Sequence, residues 1–241
     1  MLITFVITTV LAFFIKGLTG FGPALVIIPV FSLFLPFTEI VPISGALLFF
    51  SNIPLALSGR GQLPKRSFVP AALGFSLGVA LGAGLLTLLP EVVLQRTLGV
   101  TLIGFCGYQL WGGRQVAERP ELTRGEQGRL SVFSSLSGLF AGAVGVGAMP
   151  LVVYLGLRYP KENFRLLLTY VFLVGSASQV AVYSLRGLYT PDVLLWSAGL
   201  IVPMFLGLWL GSLFFGRVPQ RTFNRVVGVL LLLPAVQLLT S

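Results

Sequence analysis

Two glycine clusters, each embedded in apolar sequence, limit what this chain can fold into. The first reads K-G-L-T-G-F-G-P-A-L-V-I-I-P, from Lys16 to Pro29. The second reads A-G-A-V-G-V-G-A-M-P, from Ala141 to Pro150. Gly17, Gly20 and Gly22 fall on Gly142, Gly145 and Gly147 at a constant shift of 125 residues. In a helix interior each glycine costs roughly 1 kcal/mol and a proline about 3 kcal/mol, so a soluble helix would not survive such a cluster. In a membrane the same cluster marks an interrupted helix, tolerated where protein or a water-filled cavity covers the freed backbone. Equivalent interruptions in two halves of one chain point to a binding site at the repeat interface of a transporter.

Composition agrees with a membrane setting. Of the 241 residues 56% are hydrophobic and 10% charged, with mean hydropathy +0.97, whereas soluble domains carry about 25% charged residues. The lipid bilayer is therefore an expected partner, and one membrane domain accounts for the chain. The net charge of +9 is spread over short loops beside apolar spans. That distribution reads as orientation in a membrane and not as a nucleic-acid surface. Cys106 stands alone and implies no disulfide within the chain. No cleavable signal peptide is expected, because the start lacks a basic region and Lys16 follows the apolar run.

Apolar segments run approximately over 2–16, 23–35, 40–58, 68–89, 92–112, 131–143, 148–157, 166–185, 190–215 and 220–240. Six approach or exceed the ~20 residues of a crossing helix. The four pieces flanking the glycine breaks are expected to be too short to cross singly. They form either one interrupted crossing or a hairpin that enters and leaves by the same face; two short full crossings per break would give the hairpin's parity, and their length argues against them. Charge separates the two. With single crossings the basic residues divide evenly between the sides. With hairpins, thirteen share one side: Arg60, Lys65, Arg66, Arg114, Arg119, Arg124, Arg129, Arg158, Lys161, Arg165, Arg217, Arg221 and Arg225. Only Arg96 and Arg186 face the other. That bias predicts termini outside and a cytoplasmic loop over 113–130, in a bacterial inner membrane.

A hairpin plus three crossings is an odd count, so the second half enters the membrane inverted. Further matches extend the repeat. Arg60-Gly61 falls on Arg186-Gly187, and G-V-A-L-G (78–82) falls on G-L-W-L-G (207–211). Pro90, Arg96 and Gly99 fall on Pro219, Arg225 and Gly228. The expected fold is all-α: a first membrane repeat over 1–112, a charged linker over 113–130 and an inverted second repeat over 131–241. Each repeat is a broken, re-entrant hairpin followed by three transmembrane helices.

The paired G-x-x-G-x-G breaks, each opening a half of about four apolar segments, resemble the sulfite exporter TauE/SafE family, also called the 4-toluene sulfonate uptake permeases. The resemblance spans essentially the whole chain. Family members commonly carry a third adjacent glycine and a proline about seven residues on. Here Pro23 and Ala148 take the glycine's place, Pro29 matches the proline, and Pro150 is displaced. The resemblance implies transport of sulfite, thiosulfate or an organosulfonate.

Candidate substrate-binding residues follow from chemistry. A helix restarting after a break aims unpaired N–H groups and a positive dipole end into a cavity, which suits an anion. Gly20 and Gly22 in one half, and Gly145 and Gly147 in the other, could hold an oxyanion between them. The competing reading is close helix packing. Packing is the preferred reading for Gly74, Gly78, Gly82, Gly207 and Gly211, which recur every fourth residue without polar neighbours. Lys16 is the one basic residue inside an apolar run. It either serves the site or snorkels to an interface. Ser51, Asn52, Ser176, Ser178 and Gln179 offer hydroxyl and amide donors, or interhelical hydrogen bonds instead. Thr19 and Tyr170 are further candidates. Glu39, Glu162 and Asp192 lie near segment ends, where any could carry a coupled proton.

The chain has no histidine, one cysteine and no acidic pair within a span. No P-loop lysine follows either cluster. An enzyme is not expected, nor a cofactor or metal, and protons are the candidate coupling ion. The reading is a secondary transporter or facilitator of small sulfur-containing anions working by alternating access. An anion channel with the same lining, or a membrane assembly factor without flux, are the alternatives.

Overall fold

The computed structural model describes residues 1–58, 65–110, 124–156, 159 and 161–214. Several expectations lie outside these residues: the final span 220–240, the match at Arg60-Gly61, the partners Pro219, Arg225 and Gly228, and the linker over 113–123.

The described residues fold into helices alone: α1 (Leu2–Thr19), α2 (Pro23–Phe31), α3 (Phe37–Ser58), α4 (Lys65–Leu88), α5 (Glu91–Leu110), α6 (Arg124–Val144), α7 (Ala148–Gly156), α8 (Lys161–Leu185) and α9 (Pro191–Leu213). Five are long and apolar enough to cross a membrane: α1, α3, α4, α8 and α9. α5 has the length, at 20 residues, but carries Glu91 and Arg96 and is not among them. The α9 start shows how an end is set. Thr190 accepts the Val193 N–H through its side chain, Pro191 occupies the first turn, and Asp192 faces the positive dipole end.

One expectation is corrected. The pieces before the breaks are not short: α1 has 18 residues and α6 has 21. At 1.5 Å per residue α1 is roughly 27 Å long, against about 13 Å for the nine residues of α2. Each break therefore joins a full-length helix to a half-length one. Two features let α1 run on through Lys16 and Gly17. Lys16 finds polar partners on α3, and Gly17 is pressed against the α9 backbone at Leu208 and Gly211. The helix stops at Gly20, whose φ of 88° is the left-handed conformation that ends helices. α6 gains its length at the other end, beginning in the charged stretch at Arg124.

Both half-helices fold back along their full-length partners. Phe5, near the α1 start, stacks on Phe31, at the α2 end, with ring centroids 4.0 Å apart. Leu151 of α7 donates its N–H to Ser137 Oγ of α6 at 2.8 Å, and Tyr154 stacks on Phe133 further back along α6 at 5.0 Å. Helix directions agree. α3 and α8 run antiparallel, since Gly45 meets Gln179 and Ala56 meets Tyr170. α4 and α8 run parallel, since Phe68 meets Tyr170 and Thr87 meets Arg186. Single interrupted crossings would reverse both relations.

Glycine faces make the two closest helix contacts. On α4, Gly74, Gly78 and Gly82 sit against the α6 backbone at Ser131, Ser135 and Leu139, and Gly138 and Gly142 of α6 answer against Phe75 and Val79. On α9, Gly207 and Gly211 sit against α1 at Val10 and Phe14. A side chain at any of these positions would meet backbone. On the flank one residue before each glycine, α4 exposes Leu73, Leu77 and Leu81, the surface a bilayer would cover. The interior holds the polar residues instead: Lys16 and Asn52 are 0% exposed and Gln179 is 3% exposed.

Candidate functional site

A cavity of about 50 Å³ lies between the two hairpin turns. A water needs about 10–15 Å³ by this measure, so the space holds a few. Lys16, Gly22 and Pro23 border it from the first break, and Gly145, Val146 and Gly147 from the second. Phe75 and Phe172 form apolar walls, and Asn52, Ser176 and Gln179 supply polar atoms.

Local backbone explains the shape. In the first motif, Gly17 packs the hairpin on α9, Gly20 ends α1, and Gly22 opens α2 with φ 97°. No side chain caps the α2 start, and Pro23 has no N–H to offer. In the second motif, Gly142 packs on α4 and Gly145 turns with φ 76°. The third glycine differs. A Cβ on Gly22 would meet nothing closer than 3.7 Å, whereas a Cβ on Gly147 would run into the Ser137 carbonyl and Ala141 of α6.

Lys16 anchors the polar side. Its Nζ donates to Ser51 Oγ and to Asn52 Oδ1, both at 2.7 Å. It lies 5.8 Å from the centre of the Phe13 ring. The orientation of this network is fixed from its far ends. Ser51 Oγ donates to the Leu48 carbonyl at 2.9 Å, and Ser176 Oγ to the Phe172 carbonyl at 2.6 Å. Ser176 therefore accepts from Asn52 Nδ2, at 3.3 Å, which leaves Oδ1 turned to Lys16. Among the described residues no acidic side chain lines the cavity.

α8 braces both breaks. Gln179 Nε2 donates to the Ala141 carbonyl at 2.9 Å and to Tyr183 Oη at 3.0 Å, and Tyr183 donates to the Gly142 carbonyl at 2.8 Å. Arg165 does the corresponding work at the first break: its guanidinium donates to the Gly17 carbonyl at 3.4 Å, and its stem lies under Gly20. The Gly17 and Gly142 carbonyls, near the ends of the interrupted helices, are thereby satisfied, and the Ala141 carbonyl gains a second donor beside the Gly145 N–H.

Seven of the nine residues expected to bind substrate border the cavity: Lys16, Gly22, Asn52, Gly145, Gly147, Ser176 and Gln179. Thr19 and Gly20 do not. The Thr19 hydroxyl bonds to the Ile15 and Phe21 carbonyls and ties the turn. Tyr170 bonds to the Ala56 carbonyl and Ser178 to Ser76, both away from the cavity. Tyr183 and Arg165 were not anticipated. Tyr183 lies one turn beyond Gln179 on the same helix face, which was the available signal. Arg165 reads in the sequence as one more loop charge.

The family described as Sulfite exporter TauE/SafE matches this chain over residues 5–238. No curated protein and no solved structure matches it.

Proposed function

The chain belongs to the sulfite exporter TauE/SafE family, and from that premise we propose that it carries small sulfur-containing anions, namely sulfite, thiosulfate or an organosulfonate, by alternating access. The observation that carries the reading is Lys16: fully buried, bonded to two neutral acceptors, and bordering a cavity that no carboxylate lines among the described residues. A buried charge needs an opposite partner. A bound anion provides one.

In this reading Lys16, Asn52, Ser176 and Gln179 hold the anion, with Gly22 and the α2 start on one side and Gly145 and Gly147 on the other. The two halves rock about that site as inverted repeats. The packing partners support the repeat: α1 lies on α9 as α6 lies on α4, and each pair runs parallel through glycines. The distribution of basic residues supports a plasma-membrane orientation with the 113–130 loop in the cytoplasm.

The test is flux in proteoliposomes for sulfite, thiosulfate, sulfate, taurine and sulfoacetate. Saturable uptake of a sulfur anion with counterflow is expected. Flux without saturation or counterflow would make the protein a channel, and no flux of any of them would sink the transport reading.

A further inference from the structure

We propose that Lys16 itself is the proton carrier of this transporter, so that one proton crosses with each singly charged anion and the cycle moves no net charge. The inference rests on the transport reading above and names its coupling.

The seven acids of the chain are Glu39, Glu91, Glu118, Glu121, Glu126, Glu162 and Asp192. Of these, Glu39, Glu91, Glu126 and Asp192 each stand in the first turn of their helix, and Glu162 is the second residue of α8. Glu118 and Glu121 fall in the linker sequence. There is no histidine. Around Lys16, α3 presents Ser51 and Asn52, and α2 and the neighbouring part of α9 present no ionisable side chain. α8 presents the neutral Ser176, Gln179 and Tyr183, and a second cation, Arg165, at the next carbonyl. Among the described residues Lys16, buried against neutral acceptors, is thus the side chain bordering the cavity that can gain and lose a proton.

The geometry suits both charge states. Ser51 and Asn52 are held by their other bonds as acceptors, so they take two N–H groups from Nζ in either state. A neutral amine then has its lone pair left over, and an ammonium has its third N–H left over. On the loading side, anion and proton enter together: an N–H bond forms on Nζ, and the third N–H meets the anion. On the release side the anion leaves and the proton passes from Nζ to water. Nothing is oxidised or reduced. An ammonium left behind without the anion would be a buried charge held by two neutral acceptors alone, which drives the proton out with its partner.

The test uses the full-length protein in proteoliposomes with methanesulfonate, an anion without a second titrating group, and the potential clamped by potassium and valinomycin. One pH unit, acid outside, is expected to drive about ten-fold accumulation, the equilibrium value for one-to-one coupling. An imposed potential without a pH gradient should drive none. Lys16→Arg, which holds its charge permanently, should lose proton-driven accumulation. Potential-driven uptake that ignores the pH gradient, or proton-driven accumulation in Lys16→Arg, would overturn the inference while leaving transport standing. The wild-type measurement decides alone should the variant not fold. Absence of flux for methanesulfonate, sulfite and thiosulfate in the wild type would instead remove the transport reading, and this inference with it.

Discussion

Lys16 sits where a lysine has few ways to be satisfied. Its stem cannot reach an interface, because the side chain is 0% exposed and its nitrogen is committed to Ser51 and Asn52. The snorkelling alternative is therefore closed. If the ammonium balances a bound anion, Lys16→Met should weaken anion binding at least ten-fold, about 1.4 kcal/mol. Anion-dependent thermal stabilisation in detergent measures this. Unchanged stabilisation, with wild-type melting in the absence of anion, would reduce Lys16 to a packing residue. The lysine was visible in sequence because a charge inside an apolar run is rare. Its partners on α3 were visible only as polar residues of uncertain use. Arg165 was hidden because a basic residue near a helix start looks the same whether it faces water or the turn of a neighbouring hairpin.

At the scale of elements, one glycine motif covers three jobs: packing, ending a helix and opening the next. The first two are common to both halves, since Gly17 and Gly142 both pack on backbone and Gly20 and Gly145 both have positive φ. The third position splits the halves. Gly147→Ala must displace α7 from α6, because the new methyl meets a backbone carbonyl. Overpacking of that kind costs roughly 1–3 kcal/mol, occasionally more. Gly22→Ala has free space but a left-handed backbone, a strain of order 1–3 kcal/mol. Both variants should melt lower than wild type, and only Gly147→Ala should also lose the α6–α7 contact, read as faster hydrogen exchange at Leu151. Exchange at Leu151 unaltered by Gly147→Ala would show that α6 yields without cost. Sequence spacing located both motifs, but it could not rank packing against site, because the answer depends on which helix lies opposite. For the same reason it placed the helix ends too early at Lys16, where a lysine and a glycine look like an interruption and are not one.

For the whole molecule, the antiparallel α3 and α8 and the parallel α4 and α8 require an even return at the second break, and Phe5 stacked on Phe31 shows the return at the first. In the proposed orientation the basic residues mark the cytoplasmic face. A cysteine placed at Gln127 should react with a membrane-impermeant maleimide only after the cells are opened; labelling from outside would reverse the orientation. The described helices also impose a schedule on synthesis. The glycine-lined face of α1 belongs to α9, and 171 residues (20–190) separate the end of one from the start of the other. At about 5–20 residues per second a ribosome needs roughly ten to thirty seconds to make that stretch. Through that interval α1 and its hairpin stand in lipid without the partner they are shaped for. A nascent chain stopped after α5 should accordingly be a target for membrane proteases. Halves divided within 113–123 should each be short-lived when expressed alone and long-lived when expressed together, with pulse-chase half-lives as the measure. A first half that persists by itself would mean that α1 is held well enough by α2 and α3, and that its late partner completes the fold without rescuing it.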